Sequence, residues 1–305
     1  MAATVFEHLV LVKSEVTKGT DAVPTAATNA LRVTARATPT VNRANVDRTV
    51  VKQTMGNLAH LPDPDPSTQV TIECELKGSG TAGTAPDWGP LMKACRMVET
   101  VVGGTSVTYL PSTATEESAT IYVYIDGVLW KLLGAVGTCA ITANPGELPK
   151  ATFTMSAPYA APVATAVPAG AAFDTSVPHV VSTTDVVSDG VSINVGAFAI
   201  DLGNDVQEHK VIGSHEFVVA NRAPTLTITK DSVSTAAEWT AVHAGTNAAL
   251  SGAFNGGAGN IVTISAPVGR RQSVAYGERA ERFTQEVVYN LYESASDDQI
   301  SIALT

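Results

Sequence analysis

The chain has 305 residues and a formal net charge of −10 at pH 7, with 45% hydrophobic, 16% charged and 6% aromatic residues. This length is enough for one large domain or two ordinary ones, and the composition is that of a folded chain rather than a disordered one. The acidic balance argues against a protein that wraps and grips nucleic acid.

The start of the chain contains neither the basic region nor the apolar stretch of a signal peptide, and no apolar run reaches the roughly 20 residues of a membrane span. We therefore expect synthesis in the cytoplasm and no membrane partner. The cysteines Cys74, Cys95 and Cys139 are odd in number and far apart. This pattern argues against a disulfide framework or a C-x-x-C metal site and predicts buried thiols.

The first long irregular segment spans residues 52–67 and contains three prolines. Because proline has no backbone N–H to donate, we predict a long loop or splayed hairpin here rather than a central strand. Long ordered loops usually have a function, and the apolar side chains favour contact with a neighbouring subunit over chemistry. The candidate contact residues are Met55, Asn57, Leu58, His60, Leu61 and Pro62.

Runs of alternating or β-branched residues, bounded by Gly, Pro, Asn and Asp, predict strands along the whole chain. They lie at 70–76, 118–125, 152–155, 191–195, 225–229 and 261–264. Asp126-Gly127 predicts a two-residue hairpin turn, because these residue types tolerate the positive φ angles that the turn needs. Helix signals are scarce. Trp88, Leu91, Met92 and Cys95 follow the spacing i, i+3, i+4, i+7, which predicts a helix with one buried face.

Residues 78–83 match the pattern G-x-G-x-x-G, which binds dinucleotides where a strand leads into a helix. In that site the helix begins within the glycines, so that its free N–H groups face the pyrophosphate. Here the predicted helix begins only after Pro86, and no strand–helix–strand alternation surrounds the motif. A flexible connection is therefore favoured over a nucleotide site.

Other candidate chemistry is sparse. His209 and His215 lie on one possible strand, with Glu208 and Glu216 beside them, but two imidazoles without further ligands do not make a zinc site. The acidic pairs at 63/65 and 297/298 lie among turn residues. No nucleophile elbow, zinc-protease helix or paired Cys/His cluster occurs. We predict no catalytic, cofactor-binding or metal-binding residues.

The most informative feature is an internal repeat, in which residues 84–88 (TAPDW) recur as residues 235–239 (TAAEW). In both copies a Thr stands three residues before an acid, as in a motif that caps the start of a helix. The predicted capping motif comprises Thr84, Asp87 and Trp88 in the first copy, and Thr235, Glu238 and Trp239 in the second. A Gly-Gly turn and a Val-Thr strand follow each copy, at 103–111 and 256–267, and each half closes on a strand, at 151–156 and 299–304.

An Ala/Pro-rich stretch between the copies resists helix and strand and marks a boundary. We predict a first domain at 1–160 with an N-terminal arm around residues 14–30, a linker at 161–175 and a second domain at 176–305. The second domain would be a duplication of the first. The alternative is chance similarity in a Thr/Ala-rich chain, since the first 60 residues align poorly with the second half.

Three segments resemble the tail tube, or major tail, proteins of long-tailed, non-contractile phages. They are residues 14–26 (SEVTKGTDAVPTA), 75–95 (ELKGSGTAGTAPDWGPLMKAC) and 297–304 (DDQISIAL). That family implies tube domains of two packed antiparallel sheets with one short flanking helix, whose inner strands form a β-barrel across subunits. Together with the repeat, this gives the expected fold class: mainly β, with two tandem tube-type β-sandwich or barrel domains.

The resemblance implies a structural virion protein, not an enzyme. Its rings would stack into a hollow tail through which double-stranded DNA passes without specific binding, and inward acidic charge would repel the phosphates. Rings of this family have sixfold or pseudo-sixfold character, so two domains per chain favour a homotrimeric ring, with a homohexamer as the alternative. The other implied partners are tail terminator, tail-tip and tape-measure proteins. Assembly would occur in the host cytoplasm, and no cofactor is implied.

Two other classes of protein fit part of the sequence. A bacterial surface-layer or fimbrial adhesin would be equally rich in Thr, Val and Ala and poor in Cys, but it would need a signal peptide. An enzyme that binds a nicotinamide dinucleotide through residues 78–83 would need a parallel sheet, which a chain dominated by antiparallel strands would exclude.

Overall fold

The computed structural model describes residues 7–51, 55–56, 58–181, 185–232 and 236–305. The fold is mainly β, and every strand pairing among these residues is antiparallel. The predicted β class is confirmed, and these pairings offer no parallel sheet on which the glycine motif could bind a dinucleotide.

The part of the chain before residue 165 contains the helices α1 (Ala26–Asn29) and α2 (Gly89–Ala94). Its strands are β1 (His8–Ser14), β2 (Ala30–Leu31), β3 (Thr40–Asn42), β4 (Asn45–Val46), β5 (Leu61–Pro62), β6 (Ser67–Glu75), β7 (Met97–Val102), β8 (Ser106–Pro111), β9 (Ala119–Ile125), β10 (Val128–Ala143), β11 (Lys150–Pro158) and β12 (Val163–Ala164).

The part after residue 184 contains the helix α3 (Ala237–Ala244). Its strands are β13 (Asp185–Ser188), β14 (Val191–Ile193), β15 (Val195–Asp201), β16 (Asn204–Val211), β17 (Ser214–Arg222), β18 (Thr225–Asp231), β19 (Asn247–Asn255), β20 (Ile261–Arg279), β21 (Arg282–Tyr292) and β22 (Ser301–Leu304). The strand predicted at 191–195 is thus divided between β14 and β15.

Strand β10 connects the two parts of the chain. Its first residues pair with β9, and its later residues pair with β11. Residues 140–143 also pair with β15, so hydrogen bonding continues through β18, β21 and β20. Strand β22 then lies between β20 and β8 and returns to the first part.

The core is formed by alternating side chains of these strands. In β6 and β11 every second residue is buried, as expected for a sheet with one face on the core. One hydrophobic cluster combines residues from both sides of the predicted linker, including Trp88, Phe153, Phe198 and Phe254. The two predicted domains therefore share packed side chains, and the boundary between them stays a prediction.

Several local predictions are confirmed. Trp88, Leu91, Met92 and Cys95 are all fully buried along or next to α2. Asp126 and Gly127 turn between β9 and β10 with φ angles of 52° and 71°. The cysteines Cys74, Cys95 and Cys139 are buried and free, and burial raises the pKa of each thiol.

The linker predicted at 161–175 is packed against the body, and the expectation that it resists strand formation is wrong. Val163–Ala164 form β12, which pairs with the first residues of β10. Phe173 packs on a cluster that includes Tyr122 and Tyr124. Two residues between Pro162 and Pro168 are enough for a short edge pairing, because proline is tolerated next to an edge strand.

The predicted N-terminal arm at 14–30 is also held on the chain's own body. The carboxylate of Glu15 accepts hydrogen bonds from the Ser118 and Thr120 hydroxyls at 2.6 and 2.8 Å. Tyr122 and Lys131 donate to Asp21 further along. The one-turn helix α1 lies in this segment and was not predicted.

Candidate assembly surfaces

The segment between β3 and β6, which we call the arm (residues 43–63), is described at 43–51, 55–56 and 58–63, and its strands β4 and β5 form a two-stranded ribbon. At its base β4 pairs with β5, and the Asp63 N–H donates to the Ala44 carbonyl at 3.0 Å. These two strands form a sheet of their own, separate from the main sheet. The long loop or splayed hairpin predicted over 52–67 stays a prediction, because residues 52–54 and 57 lie outside the described part of the chain. Its last residue, Ser67, belongs to β6.

Every described residue from 43 to 62 is exposed. The exposed fraction is 104% for Met55, 54% for Leu61 and 38% for Leu58, and His60 and Pro62 are exposed as well. The predicted Asn57 lies outside the described residues. Since an isolated two-stranded hairpin is at best marginally stable in water, a ribbon that carries exposed apolar side chains suits contact with another molecule.

The glycine motif at 78–83 packs against the turn between β19 and β20. The Gly78 N–H donates to Asn260 Oδ1 at 2.6 Å, and the Gly80 N–H donates to the Gly259 carbonyl at 3.1 Å. A Cβ atom on Gly78 would lie 2.3 Å from that carbonyl oxygen. The predicted flexible connection is therefore wrong: the glycines allow two backbone segments from the two halves to approach each other closely.

Strand β17 caps the end of α2 through Arg222. Its Nη2 donates to the carbonyls of Cys95 and Arg96 at 3.1 and 2.8 Å, and Asn204 Nδ2 donates to the same Cys95 carbonyl at 2.8 Å. The last carbonyls of a helix have no partners within the helix, and a cation suits this negative end. Side chains of the second half thus supply hydrogen-bond donors to the last carbonyls of a helix in the first half.

We expect Arg222→Ala to lower the free energy of unfolding by about 2 kcal/mol, because it leaves buried carbonyls without a charged donor. Arg222→Lys keeps the charge but loses the planar fork, and should lie between this variant and the natural protein. Urea unfolding of the unpolymerised chain measures both. The control is Arg282→Ala at an exposed hairpin end; equal stability of Arg222→Ala and this control would contradict the capping role.

The predicted side-chain caps are wrong in the first copy of the repeat. Helix α2 begins at Gly89, its N-cap residue is Trp88, and no side chain of the described residues caps it with a hydrogen bond. Thr84 and Asp87 precede the first turn, so they stand too early to reach its free N–H groups. Asp87 is instead a largely buried carboxyl, and burial raises its pKa.

In the second copy, Thr235 lies outside the described residues, and the N-cap residue of α3 is Ala236, with no side-chain cap among the described residues. Glu238 lies within the first turn and does not cap it either, because its carboxylate accepts hydrogen bonds from Lys230 and from Arg271 Nε. These are the charged partners that its side chain meets on β18 and β20.

The two repeated tryptophans lie on or next to helices but in different surroundings. Trp88 is fully buried, 5.3 Å from the Tyr109 ring. Trp239 stacks on Tyr276 at 4.7 Å, and Tyr276 in turn meets Phe283. Tyr276 and Phe283 are 66% and 72% exposed, and α3 has no buried residue. The second half therefore has exposed aromatic side chains next to Trp239, whereas the corresponding tryptophan of the first half lies in the hydrophobic core.

The two histidines singled out from the sequence lie on opposite strands, not on one strand as expected. His209 on β16 faces Glu216 on β17, and the His215 ring nitrogen Nε2 lies 2.8 Å from Glu208 Oε1. Within the described ranges, no group of three or more His, Cys, Asp or Glu side chains could hold a metal ion. None of the helices that the structure describes is long and apolar enough to span a membrane.

The features described above are of two kinds: exposed apolar side chains, on the arm and near α3, and contacts that join the two halves of the chain. The sequence profile of a family described as phage tail tube protein matches residues 7–290, which include the arm, the glycine motif and both copies of the repeat. The chain belongs to the phage tail tube protein family. No curated protein matches it. The tail tube family is structural rather than enzymatic, so this tail tube protein is a component of the phage tail and of the virion.

Proposed function

We propose that this tail tube protein polymerises as stacked rings into the hollow tail tube that conducts the genome DNA. The observation that carries the proposal is the family match over 7–290, which spans nearly the whole chain. The exposed apolar arm supports it, because it gives the chain a surface that a second copy can cover. Assembly would take place in the host cytoplasm, before the finished virion is released.

The internal repeat supports a ring of three chains. Each half contains a strand, a helix and a hairpin in the same order: β6, α2 and β7–β8, then β18, α3 and β19–β20. If residues 1–160 and 176–305 each act as one tube unit, three chains supply six units. Inner strands of neighbouring units would join into a barrel, which would also cover their open edges. Six chains per ring is the alternative.

DNA would pass through this tube without specific binding. The net charge of −10 favours this, because acidic side chains at the lumen would repel phosphates and avoid the tight binding that a basic lumen would produce. Proteins that start, measure and end the tube would be the further partners: tail-tip, tape-measure and tail terminator proteins.

We place one contact between copies on the arm, at Met55, Asn57, Leu58, His60, Leu61 and Pro62. Full burial of an apolar side chain of this size is worth about 2 kcal/mol. Together, Met55 and Leu61 would therefore supply about 3 kcal/mol or more, which corresponds to more than a hundredfold in affinity.

Replacing both residues by serine tests this contact. We expect Met55→Ser/Leu61→Ser to leave the unpolymerised chain folded, since both side chains are exposed, and to prevent tube formation at concentrations where the natural protein polymerises. Light scattering and negative-stain electron microscopy measure the result. Val191→Ser, at an exposed apolar position on β14, is the control. Normal tubes from the double variant would contradict the role of the arm.

A further inference from the structure

The base of the arm is held by a side chain from a distant part of the sequence. Lys210, on β16, donates to Asp63 Oδ1 at 2.7 Å, to Asp63 Oδ2 at 2.6 Å and to the Asp65 carbonyl at 2.7 Å. A lysine ammonium has three N–H donors. All the donors of Lys210 therefore have acceptors at the point where the arm leaves the body.

Asp63 links this contact to the geometry of the arm. Its N–H donates to Ala44 and closes the base of the ribbon, and its Oδ1 also accepts the Asp65 N–H at 3.0 Å. The Lys210 hydrogen bond, with help from the Asp65 N–H, lowers the pKa of Asp63, so the carboxylate is charged at neutral pH. A swing of the arm about its base would move this carboxylate away from Lys210.

Lys210 lies on a hairpin, β16–β17, that packs against the main sheet. Strand β16 pairs with β17 along its whole length. Phe217 and Val219 of β17 pack with Val136 of β10, which is fully buried, and Val206 of β16 packs against them. The hairpin is thereby anchored on the main sheet, and the ion pair connects the arm to it.

We propose that Lys210 is a positioning residue that sets the direction of the arm, so that its apolar side chains meet a second copy of this chain. The inference rests on the proposed function of the arm. Within the described part of the arm, the pairing of β4 with β5 closes the ribbon but does not join it to the main sheet. An arm without Lys210 would sample directions that miss the neighbour, and association would weaken in proportion to the fraction of arms in the right direction.

Two variants remove the ion pair from opposite sides. Lys210→Met deletes the ammonium, and Asp63→Asn keeps an acceptor for Asp65 but removes the charge. In both we expect the amide of residue 63 to exchange with deuterium faster, and polymerisation to slow on the order of tenfold. The urea midpoint should stay near that of the natural protein, because partly exposed ion pairs contribute little to stability.

Matched variants separate positioning from a general loss of charge. Lys210→Arg keeps a cation with several donors and should restore most of the polymerisation rate. Lys150→Met removes a comparable surface pair, Lys150–Glu73 at 2.9 Å, and should polymerise like the natural protein.

If Lys210→Met polymerises as fast as the natural protein while Met55→Ser/Leu61→Ser forms no tubes, this inference is overturned but the proposed role of the arm is not. If both variants polymerise as fast as the natural protein, the role of the arm is contradicted as well. Slower polymerisation of Lys210→Met without faster exchange at residue 63 would also overturn the positioning role.

Discussion

Replacing Trp88 by alanine is expected to lower the free energy of unfolding by about 4 kcal/mol, because it empties a fully buried aromatic site. The indole N–H also donates to the Lys77 carbonyl at 2.9 Å, so this buried acceptor loses its partner. Urea unfolding of the unpolymerised chain, followed by circular dichroism, measures the loss.

The repeat supplies the matched control, Trp239→Ala. This residue stacks on Tyr276 but lies on a helix with no buried residue, so its removal should cost only about 1 kcal/mol. Equal losses in the two variants would contradict the different surroundings of the two tryptophans. The Trp239 variant also tests whether the exposed aromatic surface affects polymerisation separately from stability.

Gly78→Ala is expected to cost about 3 kcal/mol, because its Cβ would lie 2.3 Å from the backbone oxygen of Gly259 and force the two segments apart. The hydrogen bond from the Gly78 N–H to Asn260 would be lost at the same time. Hydrogen exchange should therefore speed up in the turn 256–260 as well as around residue 78.

Gly103→Ala is the control for this substitution. Gly103 has open space around its Cβ position and no left-handed φ angle, so the change should stay within about 0.5 kcal/mol. A Gly78→Ala protein as stable as the Gly103→Ala protein would show that the glycine motif is not needed for the contact between the halves.

Local features of the fold were predictable because short-range physics determines them. The spacing of Trp88, Leu91 and Met92 defines a helix face whatever surrounds it, and Asp126-Gly127 suits positive φ angles in any hairpin. The exposure of Met55 and Leu61 followed from prolines that keep the segment out of a central strand. The family resemblance, carried by residues at both ends of the chain, was confirmed.

Contacts between distant segments could not be predicted in the same way. The glycines at 78–83 appeared flexible because nothing near them in sequence indicates that Gly259 packs on them. The Lys210–Asp63 pair joins residues 147 positions apart, and strand pairing across the halves depends on a register that alternation alone does not fix. The capping prediction placed the N-cap of this helix at Thr84, four residues before Trp88, which is the N-cap residue of α2.

The repeat shows both outcomes within one motif. The sequence pattern predicted the helix around Trp88 and its counterpart around Trp239, but not that the first would be packed in the core and the second would have no buried residue. That difference depends on β1, β7 and β10, which pack against α2. The motif itself is the same length in both copies and contains no signal for such neighbours.

Electron microscopy of the polymerised protein, with class averages of end-on views, tests the central claim most directly. The account predicts hollow stacked rings of three chains, each ring with six similar inner positions around an open lumen. Rings of six chains would contradict the assignment of two tube units to each chain. Filaments without a lumen, or a protein that stays monomeric even when preformed tube ends are added, would contradict the proposed tail tube assembly itself.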